Sequence, residues 1–191
     1  ADSSKAESKA ESSSSQVEKM PETDEEWTQA MYDKAMVSYG NTSMMQNVIK
    51  KAQSGEKVTV AYLGGSITEG ISAGADGCYA KLTYDYFAQK FGTGDNVQYV
   101  NAGLSGTPSK LGILRLDRDV LAYEPDICFI EFAVNDGTET DYQNAYESIV
   151  RTLLQKNITP VLLFSVTEND HSAQDLSLIH ISEPTRRVVI S

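Results

Sequence analysis

The 191-residue sequence predicts an α/β domain built on a parallel sheet. Three observations predict it. Short apolar runs at 58–63, 97–101, 126–132 and 160–166 have the length and β-rich composition of strands. Longer segments between them carry apolar residues at helical spacing. The first run, with Val58, Val60, Tyr62 and Leu63, is almost continuously apolar, as a strand buried on both faces should be. Tight alternation of strand and helix implies right-handed crossovers with helices on both faces of the sheet.

Residues 1–26 are low-complexity Ser, Ala, Glu and Lys, unable to bury enough apolar surface to offset chain entropy; they read as a disordered tether. A Ser-rich leader of this kind follows the lipid anchor of many bacterial surface proteins, so a secreted or surface-tethered, extracytoplasmic setting is expected. A lipid anchor upstream would fit the same reading. Residues 27–37 and 43–52 read as two helices separated by Gly40, Asn41 and Thr42, with Asn41 or Thr42 as cap and Gly55 beyond the second. After strand 58–63, helices are expected at about 79–91, 109–122 and 142–156. Their expected apolar faces carry Leu82, Phe87 and Phe91, then Leu111, Leu114 and Leu121, then Tyr146, Ile149, Leu153 and Leu154.

The net charge is −11, of which residues 1–26 supply −5 through eight acids and three lysines. That balance argues against nucleic acid, which needs a basic face. No stretch approaches the ~18 apolar residues of a membrane span. The chain has no initiating Met and no apolar signal core, so it is expected to begin mature or truncated. Cys128, in an apolar run, reads as a small core residue, and Cys78 sits in a glycine-rich stretch. Neither belongs to a Cys/His cluster with ligand spacing, and no metal or cofactor is expected.

Three strand ends carry the chemistry. Strand 58–63 stops at Gly64 and Gly65, and Ser66 follows with a helix behind it. Strand 97–101 runs into NAGLSG, ending at Gly106, and strand 126–132 into AVNDG, containing Asn135. In a parallel sheet these ends open on one edge, where ligands bind, so Ser66, Gly106 and Asn135 can converge. Acyl transfer needs a nucleophile and donors aimed at the developing oxyanion; a glycine N–H and an Asn amide supply such donors without a titrating charge. Taken singly, Ser66 is also an ordinary N-cap and the Asn-Asp-Gly run at 135–137 an ordinary turn. Three such ends in order favour the site.

Together, GGSIT, NAGLSGTPS and EFAVND resemble the SGNH (GDSL-like) hydrolase superfamily over residues 57–167. The resemblance implies a flavodoxin-like three-layer α/β/α fold and ester hydrolysis by a serine nucleophile. It assigns Ser66 as nucleophile, and Gly106 and Asn135 as oxyanion-hole donors beside the Ser66 N–H. Gly65 stands where the GDS form has aspartate, and Ala133 where the GxND form has its first glycine; neither replaces a reacting group. The substrate class it suggests is a small-molecule or polysaccharide ester, acetylated carbohydrate foremost. A lipid or lysophospholipid ester is the alternative within the class, and a non-catalytic α/β binding module the alternative outside it. Nucleotide binding is not expected, because GGSITEG lacks both the Lys-Ser/Thr ending and the G-x-G-x-x-G spacing.

The superfamily takes its base from a D-x-x-H after a fifth strand, and no match stands there. His171 follows the fourth strand directly, too early for that motif, and reads as a loop residue lining the site. His180 lies within LSLIHISEPTR at 176–186, which resembles an in-frame translation of a transposase sequencing adapter. Residues 176–191 are therefore expected to be non-native, and the domain over 27–175 to lack its last strand, its Asp-His pair and its closing helix. Such a chain would be close to inactive and would leave its fourth strand as an exposed edge. Sequencing the source DNA across codon 175 without a transposase adapter should show the frame continuing into another apolar strand and a D-x-x-H. A frame that ends as given would leave Ser66 without a base.

Overall fold

The computed structural model of the chain describes residues 28–165. The tether expected at 1–26, Trp27, His171, His180 and the tail from 176 lie outside the described residues. The chain divides into a unit of residues 1–37 and a unit of residues 38–191. In the first, helix α1 (Gln29–Ala35) begins at Thr28, whose hydroxyl accepts from the Met31 N–H, and none of its residues is buried.

The second unit alternates as its periodicities require. It runs α2 (Thr42–Gln53), β1 (Val58–Gly64), α3 (Ser66–Glu69), α4 (Tyr79–Phe91), β2 (Val97–Gly103) and α5 (Ser109–Asp119). A 3₁₀ turn over Leu121–Tyr123 leads to β3 (Ile127–Glu131), α6 (Thr140–Gln155) and β4 (Thr159–Leu163). Asn41 caps α2, its Oδ1 accepting from the Ser43 N–H at 3.0 Å. The strands form one parallel sheet in the order β2-β1-β3-β4, so the first strand lies inside it and is fully buried. Among the described residues β4 pairs only with β3.

Alternation along the strands gives each sheet face its own core. Ala61, Leu63, Cys128 and Ile130 face Leu116, Ile149, Val150 and Leu153 of α5 and α6. On the opposite face Val58, Val60, Tyr62 and Ile127 meet Val48, Ala52 and Ala80 of α2 and α4, and the Tyr62 and Phe129 rings stack at 4.8 Å. This is the three-layer α/β/α arrangement. Cys78 and Cys128 are free thiols belonging to opposite cores, and burial pushes Cys128 up to about 12. Among the described residues no helix is long and apolar enough to cross a membrane.

The amino-terminal edge of the sheet is closed by two side chains. Asn96 donates to Ala52 O and Glu56 O at 2.8 and 2.7 Å. The Asp126 carboxylate accepts from the Thr59 N–H at 2.9 Å and from Lys51 Nζ at 2.6 Å.

The faces expected on two helices need correction. Leu82 is exposed, and so are Leu111 and Leu114, the last to 80%. The buried face of α5 is instead Ser109, Gly112, Arg115 and Leu116. Gly112 sits against the Phe132 ring, where a Cβ would come within 2.6 Å of Cζ, and Arg115 turns inward to meet strand carbonyls. A small residue and a cation therefore occupy the face that simple leucine spacing assigns elsewhere.

Gly112→Ala tests this packing. On an exposed helix the change would add about 1 kcal/mol of stability. Against fully buried Phe132, overpacking should reverse the sign and cost roughly 1–3 kcal/mol. A urea denaturation midpoint above that of the parent would contradict the packing.

Candidate active site

The site begins where β1 runs out of side chains. Gly64 ends the strand, Gly65 caps α3, and Ser66 is the first residue of that four-residue helix. Gly65 provides no side-chain cap bond, and Ser66 does not act as the N-cap. Helix α3 rests directly on the ends of β1 and β2. A Cβ on Gly64 would reach within 2.6 Å of Glu131 O and overlap Thr68, and one on Gly103 would meet the Glu69 backbone, with Cα at 2.6 Å. Gly70, in the left-handed conformation (φ +90°), ends the helix against Cys78.

The loop after β2 is tied to this helix. Asn101 donates to Thr68 O at 2.8 Å and accepts from the Gly103 N–H at 2.8 Å. The Leu104 N–H reaches back to Gly64 O at 3.0 Å, and the Ser105 N–H to the Glu69 carboxylate at 2.6 Å. Gly106 follows, exposed and left-handed (φ +69°).

The loop after β3 comes to the same place. The N–H groups of Asn135 and Asp136 both donate to Phe132 O at 2.9 Å, making a tight turn. Asn135 lies against Gly65: a Cβ there would overlap Asn135 Oδ1 and come within 3.1 Å of Cγ. The absence of a side chain at Gly65 is what admits the amide beside Ser66. Asp136 is buried and accepts from the Ser109 N–H at 2.7 Å, fastening this loop to the start of α5. All three sequence-predicted residues thus stand at strand ends on one edge. Asn135 touches the residue before Ser66, and Gly106 sits in a loop bonded to Ser66's helix.

A cleft of about 210 Å³ opens beside Ser66, walled by Ile67, Gly70, Ile71, Cys78 and Tyr79. Both histidines of the chain fall outside the described residues. Among the described residues no cluster of His, Cys, Asp and Glu has the makings of a metal site.

Sequence reasoning missed the buried charges beneath this edge. Glu131, at the end of β3, is fully buried; it accepts from Ser165 Oγ and from Thr68 Oγ1 at 3.4 Å. Burial raises its pKa, and burial likewise raises that of Asp136. Arg115, also buried, bonds Gly64 O at 3.0 Å and Ala102 O at 2.6 Å, with Asp119 as its counter-ion at 3.2 Å. A signal existed for each. Glu131 interrupts the apolar run ICFIEF, and Arg115 falls one helical turn from the small residue Gly112.

The fold is that of an SGNH-type α/β domain, with Ser66 following a glycine turn at the carboxyl edge of its parallel sheet. The chain belongs to the GDSL-like lipase/acylhydrolase family, whose model matches residues 62–183. Among solved structures it is similar to a two-domain esterase (CEX) active on acetylated mannans. The identity is 30% and the TM-score 0.74, over 80% of this chain and 42% of that one. The chain therefore spans less than half the length of that esterase. It is also similar to the acetyl xylan esterase AlAXEase, at 25% identity and TM-score 0.52, over 69% of this chain and 72% of that one. The psychrotrophic esterase EstA from Pseudoalteromonas sp. shares the fold at 22% identity and TM-score 0.54, over 66% and 73% of the two chains. No curated protein matches the chain.

The buried carboxylates have a pH consequence. An unfolded glutamate titrates near 4.5, and Glu131 holds its proton more tightly when folded. Its contribution to stability is complete below pH 4.5 and is lost as pH rises through the raised, folded pKa. Glu131→Gln should therefore flatten the stability profile above pH 4.5, read as urea midpoint against pH. Profiles that stay parallel would contradict the burial of this charge.

Proposed function

We propose that this chain is part of a serine esterase that removes acyl groups, acetyl foremost, from carbohydrate. The observation that carries the reading is the Asn135 amide packed against Gly65, immediately before Ser66 and on the edge where the Gly106 loop is bonded to α3. Ser66 Oγ attacks the ester carbonyl, and its proton passes to a base. The resulting oxyanion is held by Asn135 Nδ2, the Gly106 N–H and the Ser66 N–H. Collapse breaks the C–O bond to the alcohol, which leaves with the proton. Water then attacks the acyl-serine by the same route and frees the acid and Ser66. The base is a histidine outside the described residues. It belongs to a D-x-x-H beyond residue 175, with the segment from 176 a non-native tail.

Acetylated polysaccharide is favoured as substrate by the likeness to esterases described as active on acetylated mannans and as an acetyl xylan esterase. The Ser-rich residues 1–26 favour a bacterial protein held at, or released from, the cell surface. A lipid ester is the second reading, supported by exposed Ile67 and Ile71 at the cleft.

The test supplies the base from solution. With imidazole added, 4-nitrophenyl acetate hydrolysis by the chain should exceed that by Ser66→Ala, which measures the background of imidazole alone. Asn135→Ala should lower the Ser66-dependent rate by ~10²–10³. A fluorophosphonate should label Ser66, located by peptide mass spectrometry. No label at Ser66, with rates equal to Ser66→Ala, would overturn the esterase reading in favour of a binding module.

A further inference from the structure

The cleft beside Ser66 is built by a single stretch of chain, from Ser66 through the loop after α3 to Tyr79 at the start of α4. Gly70 and Cys78 are buried there, Tyr79 is half-buried, and Ile67, Ile71 and Ala73 are exposed. The loop holds its shape with its own backbone. The Ile71 N–H donates to Ser66 O at 3.1 Å, the Gly74 N–H to Gly70 O at 2.8 Å and the Cys78 N–H to Gly74 O at 3.2 Å. It closes on Gly70, where a Cβ would come within 2.9 Å of both Cys78 Cβ and Gly74 O.

Beyond Ser66 itself, this cleft offers a ligand mainly apolar surface. Tyr79 Oη and Thr68 Oγ1 lie 3.0 Å apart, and Thr68 gives its one hydroxyl proton to Glu131 at 3.4 Å. Tyr79 is therefore the donor of the first bond, and its ring rather than a free hydroxyl faces the cleft. Cys78 Sγ is committed to Ala75 O at 3.4 Å, and Ser72, the remaining hydroxyl, is exposed to water. A sugar ring buried here would leave hydroxyls without partners, which is costly, whereas an alkyl chain gains from the same burial.

Direction points the same way. Neither Gly106 nor Asn135 lines the cleft, and Asn135 meets the chain at Gly65, on the other side of Ser66 in sequence. With the oxyanion turned to those donors, the acyl chain and the alcohol take the two remaining directions. The alcohol must meet the base, and the chain that leads to the base leaves from β4, two strands from β1. The cleft, made only of residues 66–79, is the direction left for the acyl chain. We propose that it is the acyl subsite and that it extends the acyl range past acetyl to short unbranched chains, with Ile67, Ile71, Cys78 and Tyr79 determining specificity. At about 210 Å³ it has room for several groups the size of a water, each roughly 30 Å³, where acetyl brings one methyl.

The role rests on the reading of Ser66 as nucleophile, and two tests separate them. The first runs 4-nitrophenyl acetate, butyrate, hexanoate and octanoate in the imidazole-supplemented assay, each corrected for the rate with Ser66→Ala. From acetate to hexanoate, kcat/KM should rise roughly two- to fourfold per methylene, the upper figure being full burial of a CH₂, and then level off. Ala73→Trp should flatten the series so that butyrate and acetate turn over alike, and Ile71→Ser should lower the butyrate-to-acetate ratio severalfold. Each ratio is taken within one variant, so loss of folded protein cancels. A parent series that falls from acetate onward, or an Ala73→Trp series with the parent's slope, overturns the proposal. The second test needs no turnover. In ¹⁵N-labelled Ser66→Ala, hexanamide should shift the Gly70, Ile71 and Cys78 amides saturably and at much lower concentration than acetamide, and adding Ala73→Trp should abolish the response. Equal responses to the two amides, or shifts confined to other residues, overturn the cleft as an alkyl site. A parent with neither turnover nor a fluorophosphonate label sinks the esterase reading and the acyl role with it, while the hexanamide titration still decides whether the cleft holds an alkyl chain.

Discussion

The whole carboxyl edge of the sheet depends on how closely a four-residue helix can approach it. Helix α3 lies on the ends of β1 and β2 at backbone contact, and the approach exists only because Gly64 and Gly103 present no Cβ. A methyl group at either position would meet Thr68 or the backbone of Glu69. With the helix seated so low, Ser66 is held by the sheet itself. The second loop can then bond to Glu69, and the third can lay its Asn135 amide on Gly65.

Each strand end is secured by a polar side chain from another element. Glu131 of β3 takes the hydroxyl of Thr68 in the first turn, and Glu69 of that turn takes the N–H of Ser105 in the second. Asp136 of the third turn takes the N–H that opens α5, and Arg115 of α5 returns to the carbonyls of β1 and β2. The ties close on themselves. The groups that need tying are the last carbonyls and first amides beyond the strands, where the sheet ladder stops supplying partners and buried polar groups must find others.

The sheet was legible because its strands are short, apolar and separated by helices of ordinary spacing. The placement of Ser66, Gly106 and Asn135 at strand ends on one edge was legible because a parallel sheet must bring those ends together. Element bounds fell within a few residues, with β2 and β1 running on into glycine and α5 stopping at Asp119 before a 3₁₀ turn. What periodicity could not give was the inward face of α5. Leucine spacing pointed to Leu111 and Leu114, but packing put Gly112 and Arg115 inside, because a ring and two carbonyls waited there. Buried ions escape hydropathy patterns by their nature: Glu131 and Arg115 read as surface residues until the strand ends they serve are seen.

The contact between Gly65 and Asn135 bears on how this edge can change over generations. The two positions occupy one small volume, so any side chain gained at 65 must be matched by a withdrawal at 135. A methyl group at 65 would overlap Asn135 Oδ1, so a side chain there requires the Asn135 amide to turn away. An aspartate introduced at 65 would meet the Asn135 amide, so its accommodation depends on the third loop giving way. Combinatorial libraries built on this domain should vary the two loops as a unit.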